Sequence, residues 1–200
     1  MLHAFLLVFP MKEMKWILGS QSPRRKELLA GIGVEFEVRI KDTEEVYPDS
    51  LPASEVPEFL AKLKADALLP DLADNEAVIC ADTVVILEGE ILGKPVNFED
   101  AQKMLARLSG KKHTVITGVF IGSKTKSTSF SERTDVEFEH LTEEEINFYI
   151  NQYKPFDKAG SYGVQEWIGY VAVKRMEGTY TNVMGLPTNR LYREIREFNP

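Results

Sequence analysis

Ala77-Val78-Ile79-Cys80-Ala81-Asp82-Thr83-Val84-Val85-Ile86-Leu87 is an apolar stretch of strand length interrupted once, by Asp82-Thr83. Continuous apolar runs of this kind mark strands covered on both faces. A helix-flanked sheet, an α/β arrangement, is therefore expected around it. A carboxylate between two apolar strand segments is costly to bury unless it meets a cation, a metal or hydrogen-bond donors. Asp82 is read as a metal-binding carboxylate in preference to a partner for a neighbouring turn. Glu88-Gly89-Glu90 reads as a turn, and Ile91-Leu92 as a strand pairing back.

Upstream, Lys15–Leu18 reads as a first strand and Lys26–Ala30 as a helix. Ser20-Gln21-Ser22-Pro23-Arg24-Arg25 is then a strand-to-helix turn. Ser20 or Ser22 can cap the helix, and Pro23 suits its first turn, where a missing N–H costs nothing. Free N–H groups and a partial positive charge gather at such an end. Arg24 and Arg25 oppose that dipole, and their guanidinium groups fit phosphate oxygens. The turn reads as a polyphosphate site. A capped helix with solvated arginines fits this turn alone, and the chain holds no G-x-x-x-x-G-K-[ST] pattern.

Between these stretches, Glu35–Ile40 alternates like a strand, and 41–53 is a polar loop carrying Asp42, Glu44 and Glu45. Ser54 is expected to cap a helix through Leu69, with Phe59, Leu60, Leu63, Ala67 and Leu68 as its apolar stripe. That pattern leaves Lys64 on a solvated face. Downstream, Gly93-Lys94-Pro95 is a rigid turn presenting Lys94, as a phosphate binder or a surface lysine. Asn97 caps a helix ending before Gly110, and Thr142 with Glu145 forms a capping box. Strands are expected at 112–121 and within 126–139. Phe156–Gln165 has neither helical nor strand period and reads as a functional loop. Its Gln165 amide is suited to a nucleobase edge, or is a plain surface amide. Trp167–Met176 reads as a strand, 178–186 as a loop, and Pro187 opens a last helix to Phe198. His113 and His140 lack ligand spacing and read as structural or surface residues.

The chain has 200 residues, a formal net charge of −7 and one cysteine. That length suits one domain, or one domain with two lobes. The acidic balance opposes a nucleic-acid partner, and a local basic pocket suits a small anion better. No internal disulfide is possible, which fits a reducing cytoplasm. Residues 1–13 read as an N-terminal extension, too short to span a membrane and lacking the basic start and cleavage site of a signal peptide.

Taken together, Ser20–Arg25, Lys64-Ala65, Ala81-Asp82-Thr83, Gly93-Lys94-Pro95, Asp157-Lys158-Ala159-Gly160 and Asn182-Val183-Met184-Gly185-Leu186-Pro187 resemble, in this order, the Maf family, also called septum formation inhibitor proteins. The likeness runs from about Met14 to the C-terminus. Gly19 stands where the family more often has alanine, a departure not expected to affect function. The resemblance implies an elongated two-lobed mixed sheet flanked by helices, shared with inosine triphosphatases, as one domain over 14–200. It implies a homodimer, and a cleft between the lobes that converts a nucleoside triphosphate to monophosphate and pyrophosphate with magnesium or manganese. By that resemblance Arg24, Arg25, Lys64 and Lys94 cradle the triphosphate, and Ser20, Thr83 and Gln165 also contact substrate. Asp82 and Glu45 hold the metal, and either takes the proton from water. Lys158 stabilises the leaving pyrophosphate, and Lys94 is counted with it among the catalytic groups. Tyr162-Gly163-Val164-Gln165 is similar to the branch acting on dTTP and UTP. The rival readings are the same chemistry on 7-methyl-GTP, and a non-catalytic nucleotide-binding regulator of cell division.

Overall fold

A computed structural model describes residues 14–198. The apolar stretch is one unbroken strand, β3 (Glu76–Leu87). Before it run β1 (Lys15–Leu18), α1 (Pro23–Gly31), β2 (Phe36–Val38) and α2 (Val56–Leu68). After it come β4 (Glu90–Leu92), α3 (Phe98–Leu108), β5 (Lys112–Gly122), β6 (Ser127–Phe138) and α4 (Glu143–Tyr153). The chain finishes with α5 (Trp167–Val171), β7 (Val173–Glu177), α6 (Tyr180–Val183) and α7 (Thr188–Phe198). The described residues form one seven-stranded sheet ordered β2-β1-β3-β5-β6-β7, with β4 also paired to β3.

β1 runs parallel to both its neighbours, β2 on one side and β3 on the other. The chain leaves β1 through α1 to β2 and returns through α2 to β3. Such a switch point opens a crevice at the strand's carboxyl end, where ligands bind in α/β sheets. Here that end is the Ser20–Arg25 turn.

The register along β3 produces the site. β1 pairs with it only as far as Leu18 opposite Ile79. β4 pairs on the same edge only from Val85, opposite Leu92. Residues 80–84 therefore have no strand neighbour on that edge, while β5 pairs the other edge from Val78 to Ile86. The sheet has a notch, and Asp82 and Thr83 lie in it. Gly19 follows β1 at one lip, its N–H donating to the Ile79 carbonyl at 2.9 Å. Gly93-Lys94 follows β4 at the other.

Alternation along β3 sends side chains to opposite faces. Val78 and Cys80 pack with Ala61, Ala65 and Leu68 of α2. Ala77, Ile79 and Ala81 pack with Leu29 of α1 and Leu191 and Ile195 of α7. Beyond the notch, Val85 and Leu87 join Leu105, Leu108, Tyr149 and Ile150 of α3 and α4. Full burial of one such side chain is worth about 1.5–3 kcal/mol, so each core holds its own end of β3 rigid. Gly118 lets α2 sit directly on β5, since an added Cβ would lie 2.2 Å from the Glu58 nitrogen.

The short-range signals hold. Ser22 caps α1, Asn97 caps α3, and Thr142 with Glu145 closes a full capping box on α4. Five expectations are corrected. Ser54 is not the cap of α2; the N-cap is Glu55, without a side-chain bond. The buried stripe is Val56, Leu60, Ala61, Ala65 and Leu68, and Phe59 is 37% exposed. The stripe is thus rotated, which carries Lys64 to the sheet's edge. β2 is shorter than Glu35–Ile40 because β1 offers partners only to 36–38. Trp167–Met176 is not one strand: it is α5 followed by β7. Gly169 permits the tight approach of this turn to the preceding loop, since an added Cβ would meet the Val164 carbonyl at 1.8 Å. The 178–186 loop contains α6. The extension through residue 13 lies outside the described residues.

Candidate active site

Asp82, an even-numbered β3 residue, points to the α2 face, as Cys80 does. Lys64, two turns into α2, meets it there. Lys64 Nζ lies 2.5 Å from Asp82 Oδ1 and 3.0 Å from Glu45 Oε1, the latter reaching in from the polar loop. The Lys64 and Asp82 side chains are only 17% and 14% exposed. Lys64 is therefore not a solvated helix lysine. Placing an apolar stripe one residue off hid this from the sequence.

Thr83 points to the opposite face, where α1 supplies Arg25. Arg25 Nη2 donates to Thr83 Oγ1 at 3.1 Å, and Nε donates to the Gly185 carbonyl at 2.9 Å. Arg25 also reaches Ser20 Oγ at 3.5 Å, while Ser20 Oγ accepts from the Ser22 N–H at 3.2 Å. Behind Thr83 a polar chain continues inward. Thr83 and Thr117 hydroxyls lie 2.9 Å apart, Thr117 donates to the Asn182 carbonyl, and the Asn182 amide donates to Thr134 Oγ1. The Asn182–Pro187 motif is thus the backing of Arg25. Burial pulls the Arg25 guanidinium below its usual range, while nearby Asp82 opposes that pull.

The third wall is the 157–166 loop. Arg24 Nη1 meets Asp157 Oδ2 at 2.9 Å across the cleft. Lys158, 8% exposed, meets Asp157 at 2.8 Å and Glu166 Oε1 at 3.1 Å. Burial would raise the Asp157 carboxyl, yet the bonds from Lys158 and Arg24 hold it below the ordinary range. Tyr162 and His113 hydrogen-bond at 2.8 Å in the core behind the cleft. Burial pushes the His113 imidazole down to about 4, so it sits neutral there, and pushes the Cys80 thiol up to about 12.

The structure brings every sequence-predicted site residue to one place. Asp82, Thr83, Lys94, Lys158 and Gln165 line one chamber. Ser20 and Glu45 line an adjoining one, and Arg24, Arg25, Lys64 and Lys94 line both. Gln165 lines the chamber, and its Oε1 is buried without a hydrogen-bond partner. Sequence reasoning missed Glu166, Tyr149, Thr117 and the Gly185 carbonyl. Only Glu166, an acid beside Gln165, left a readable signal.

Asp82 and Glu45 present hard oxygen donors to the same ammonium. Among the described residues no group of three or more potential metal-ligating side chains gathers. Magnesium takes one or two carboxylates and fills its other positions with phosphate oxygens and water, so Asp82 and Glu45 fit it. Gly19 is also explained: an added Cβ would come 2.3 Å from Cys80 Sγ, so glycine stands here opposite this cysteine.

Comparison with known proteins identifies the family. Residues 15–198 match the family described as Maf-like protein. A dTTP/UTP pyrophosphatase of Porphyromonas gingivalis is 50% identical over 191 residues, covering 94% of this chain and 96% of that protein. The protein of the same name from Parabacteroides distasonis is 49% identical, covering 94% and 98%. Among solved structures, the Ham1 protein of Staphylococcus aureus superposes with TM-score 0.50 at 18% identity, covering 90% of this chain and 99% of that one. A HAM1 protein from Coxiella burnetii gives 0.51 at 14%, covering 92% and 99%. Those two structures share the mixed α/β fold, and the family match spans nearly all the described residues: this chain belongs to the Maf-like proteins.

Proposed function

We propose that this chain hydrolyses UTP and dTTP to the nucleoside monophosphate and pyrophosphate. The observation that carries the reading is the notch itself. A carboxylate pair there is ringed by Arg24, Arg25, Lys64, Lys94 and Lys158, a cation set matched to a triphosphate. The names of the half-identical relatives support the same substrate.

In this mechanism Arg25, fixed by Gly185 and Thr83, grips the phosphates without reorganising. Lys64 and Lys94 neutralise phosphate oxygens, and Lys64 leaves the carboxylates as it does so. Asp82 and Glu45 would hold magnesium or manganese, which when bound polarises the α-phosphate and activates water. Water attacks the α-phosphorus, the bond to the β-phosphate oxygen breaks, and pyrophosphate leaves. Asp82 or Glu45 accepts the water proton. Lys158 meets the charge growing on the leaving oxygen.

At the other end Tyr162, Val115 and Met184 make an apolar wall. The unpartnered Gln165 Oε1 is an acceptor waiting for a donor. Uracil and thymine present an imide N–H there; cytosine presents a bare ring nitrogen. A site built to hydrogen-bond a group discriminates strongly against analogues lacking it.

Among the described residues no helix is long and apolar enough to cross a membrane. With the acidic balance, this supports a free nucleotide as partner. A cytoplasmic homodimer is part of the same proposal, and sedimentation equilibrium would test the dimer. Product analysis by phosphorus NMR tests the reaction. UTP with magnesium is expected to give UMP and pyrophosphate; UDP and phosphate would place the attack elsewhere.

A further inference from the structure

Glu166 uses its two oxygens on different partners, one at the cleft and one in the core behind it. Oε1 lies 3.1 Å from Lys158 Nζ, at the phosphate end. Oε2 accepts from the Tyr149 hydroxyl, which in turn accepts from the Gly163 N–H at 3.0 Å. Tyr149 is fully buried on α4 and stacks on Tyr153. Burial, and then the bond to Glu166, raise its phenol well above the usual range, so it stays the donor.

Gly163 opens the turn that carries Gln165. The Glu166 N–H donates to the Gly163 carbonyl at 3.0 Å and closes that turn. The turn is packed tightly on itself: a Cβ at Gly163 would lie 2.8 Å from Gln165 Nε2 and 2.9 Å from Glu166 Cδ. The base-reading amide and the carboxylate thus press on the same glycine. The turn cannot shift without moving the carboxylate, and the carboxylate holds Lys158.

We propose that Glu166, backed by Tyr149, is a positioning residue that couples base recognition at Gln165 to the placement of Lys158. This rests on the pyrophosphatase reading above. A correct base seats the turn, the seated turn aims Glu166, and Glu166 aims the ammonium at the leaving group. Base identity then acts on kcat as well as on KM, because binding energy from a remote part of the substrate is expressed at the reacting atoms.

The test compares UTP with CTP on wild type, Glu166→Gln, Tyr149→Phe and the double variant. Inorganic tripolyphosphate serves as a base-free competitive inhibitor. Glu166→Gln is isosteric and is expected to lower kcat on UTP about tenfold, with the tripolyphosphate inhibition constant moving less than about threefold. Each single variant should shrink the UTP-over-CTP ratio of kcat/KM about fivefold or more. The double variant should be no worse than the poorer single, as in a coupled network. Melting curves establish folding; if one variant does not fold, the ratio in the other decides. A ratio kept within about twofold of wild type, or additive losses, overturns the coupling while the pyrophosphatase reading stands. A wild type that does not prefer UTP to CTP removes the base reading and the coupling with it.

Discussion

Lys64 Nζ and Asp82 Oδ1 are 2.5 Å apart in the notch of the sheet, and Glu45 shares the same ammonium at 3.0 Å. The cation that would grip the triphosphate and the carboxylates that would hold the metal are thus each other's partners before substrate arrives. Removing the ammonium leaves two carboxylates facing each other. Lys64→Gln is expected to melt lower than wild type in chelator and to regain much of that loss in millimolar magnesium, as binding to the native state raises apparent stability. Wild type should respond less. Calorimetric melting with and without magnesium checks this; equal responses in the two proteins would remove Lys64 from the metal's place.

Arg25 owes its direction to two partners far away in sequence, Thr83 and the Gly185 carbonyl. A lysine cannot make that fork. Arg25→Lys should therefore lower kcat/KM about as much as Arg25→Ala, by roughly 10²-fold. Steady-state kinetics on UTP decide it. Rescue by lysine would mean that charge alone matters there.

Gln165→Glu places a carboxylate where the orphaned amide oxygen waits. The amide's own donors are lost and a charge enters a closed chamber. The carboxylate still accepts from an imide N–H but donates nothing, so kcat/KM is expected to fall about tenfold on UTP and further on CTP, with tripolyphosphate inhibition little changed. An unaltered substrate profile would show that Gln165 does not meet the base.

His113 gives a stability signature. Its folded value, about 4, lies below the ordinary 6.5, with burial the main cause. The unfolded chain therefore binds the extra proton first. Stability is full above about pH 6.5 and falls toward pH 4, by at most about 1.4 kcal/mol per pH unit. Glu76, held near 2 mainly by its bond from Arg39, weakens the fold only below its ordinary 4.5, in a separate window. Urea unfolding of wild type and His113→Gln between pH 6.5 and 5 should show the slope in wild type alone.

What could be read from the sequence was local or was carried by short motifs. Asn97, Thr142 with Glu145, and Ser22 act within one helical turn, so they announced their helices. β3 was legible because a strand buried on both faces has no polar side to mislead. The notch was not legible, because it exists only in the register of β1 and β4 against β3. The periodicity of α2 alone leaves Lys64 on a solvated face, because that stripe is centred on Phe59, which is exposed; the Lys64-Ala65 motif places it in the site. Arg25 and Gly185 meet across 160 positions. Trp167–Met176 reads as a strand because its residues are mostly apolar, and the close approach of Gly169 to the Val164 carbonyl is visible only in three dimensions. Glu166 lay in full view beside Gln165, but its two partners come from α4 and from the loop before it.

The most direct test of the central claim is pyrophosphate release from UTP, dTTP, CTP, GTP and 7-methyl-GTP, with magnesium and with chelator, for wild type and Asp82→Asn. Fast release from UTP and dTTP is expected, abolished by chelator and lowered roughly 10²-fold or more by Asp82→Asn without loss of fold. Release that persists in chelator, or an Asp82→Asn protein as active as wild type, would contradict a metal-bearing carboxylate in the notch of β3.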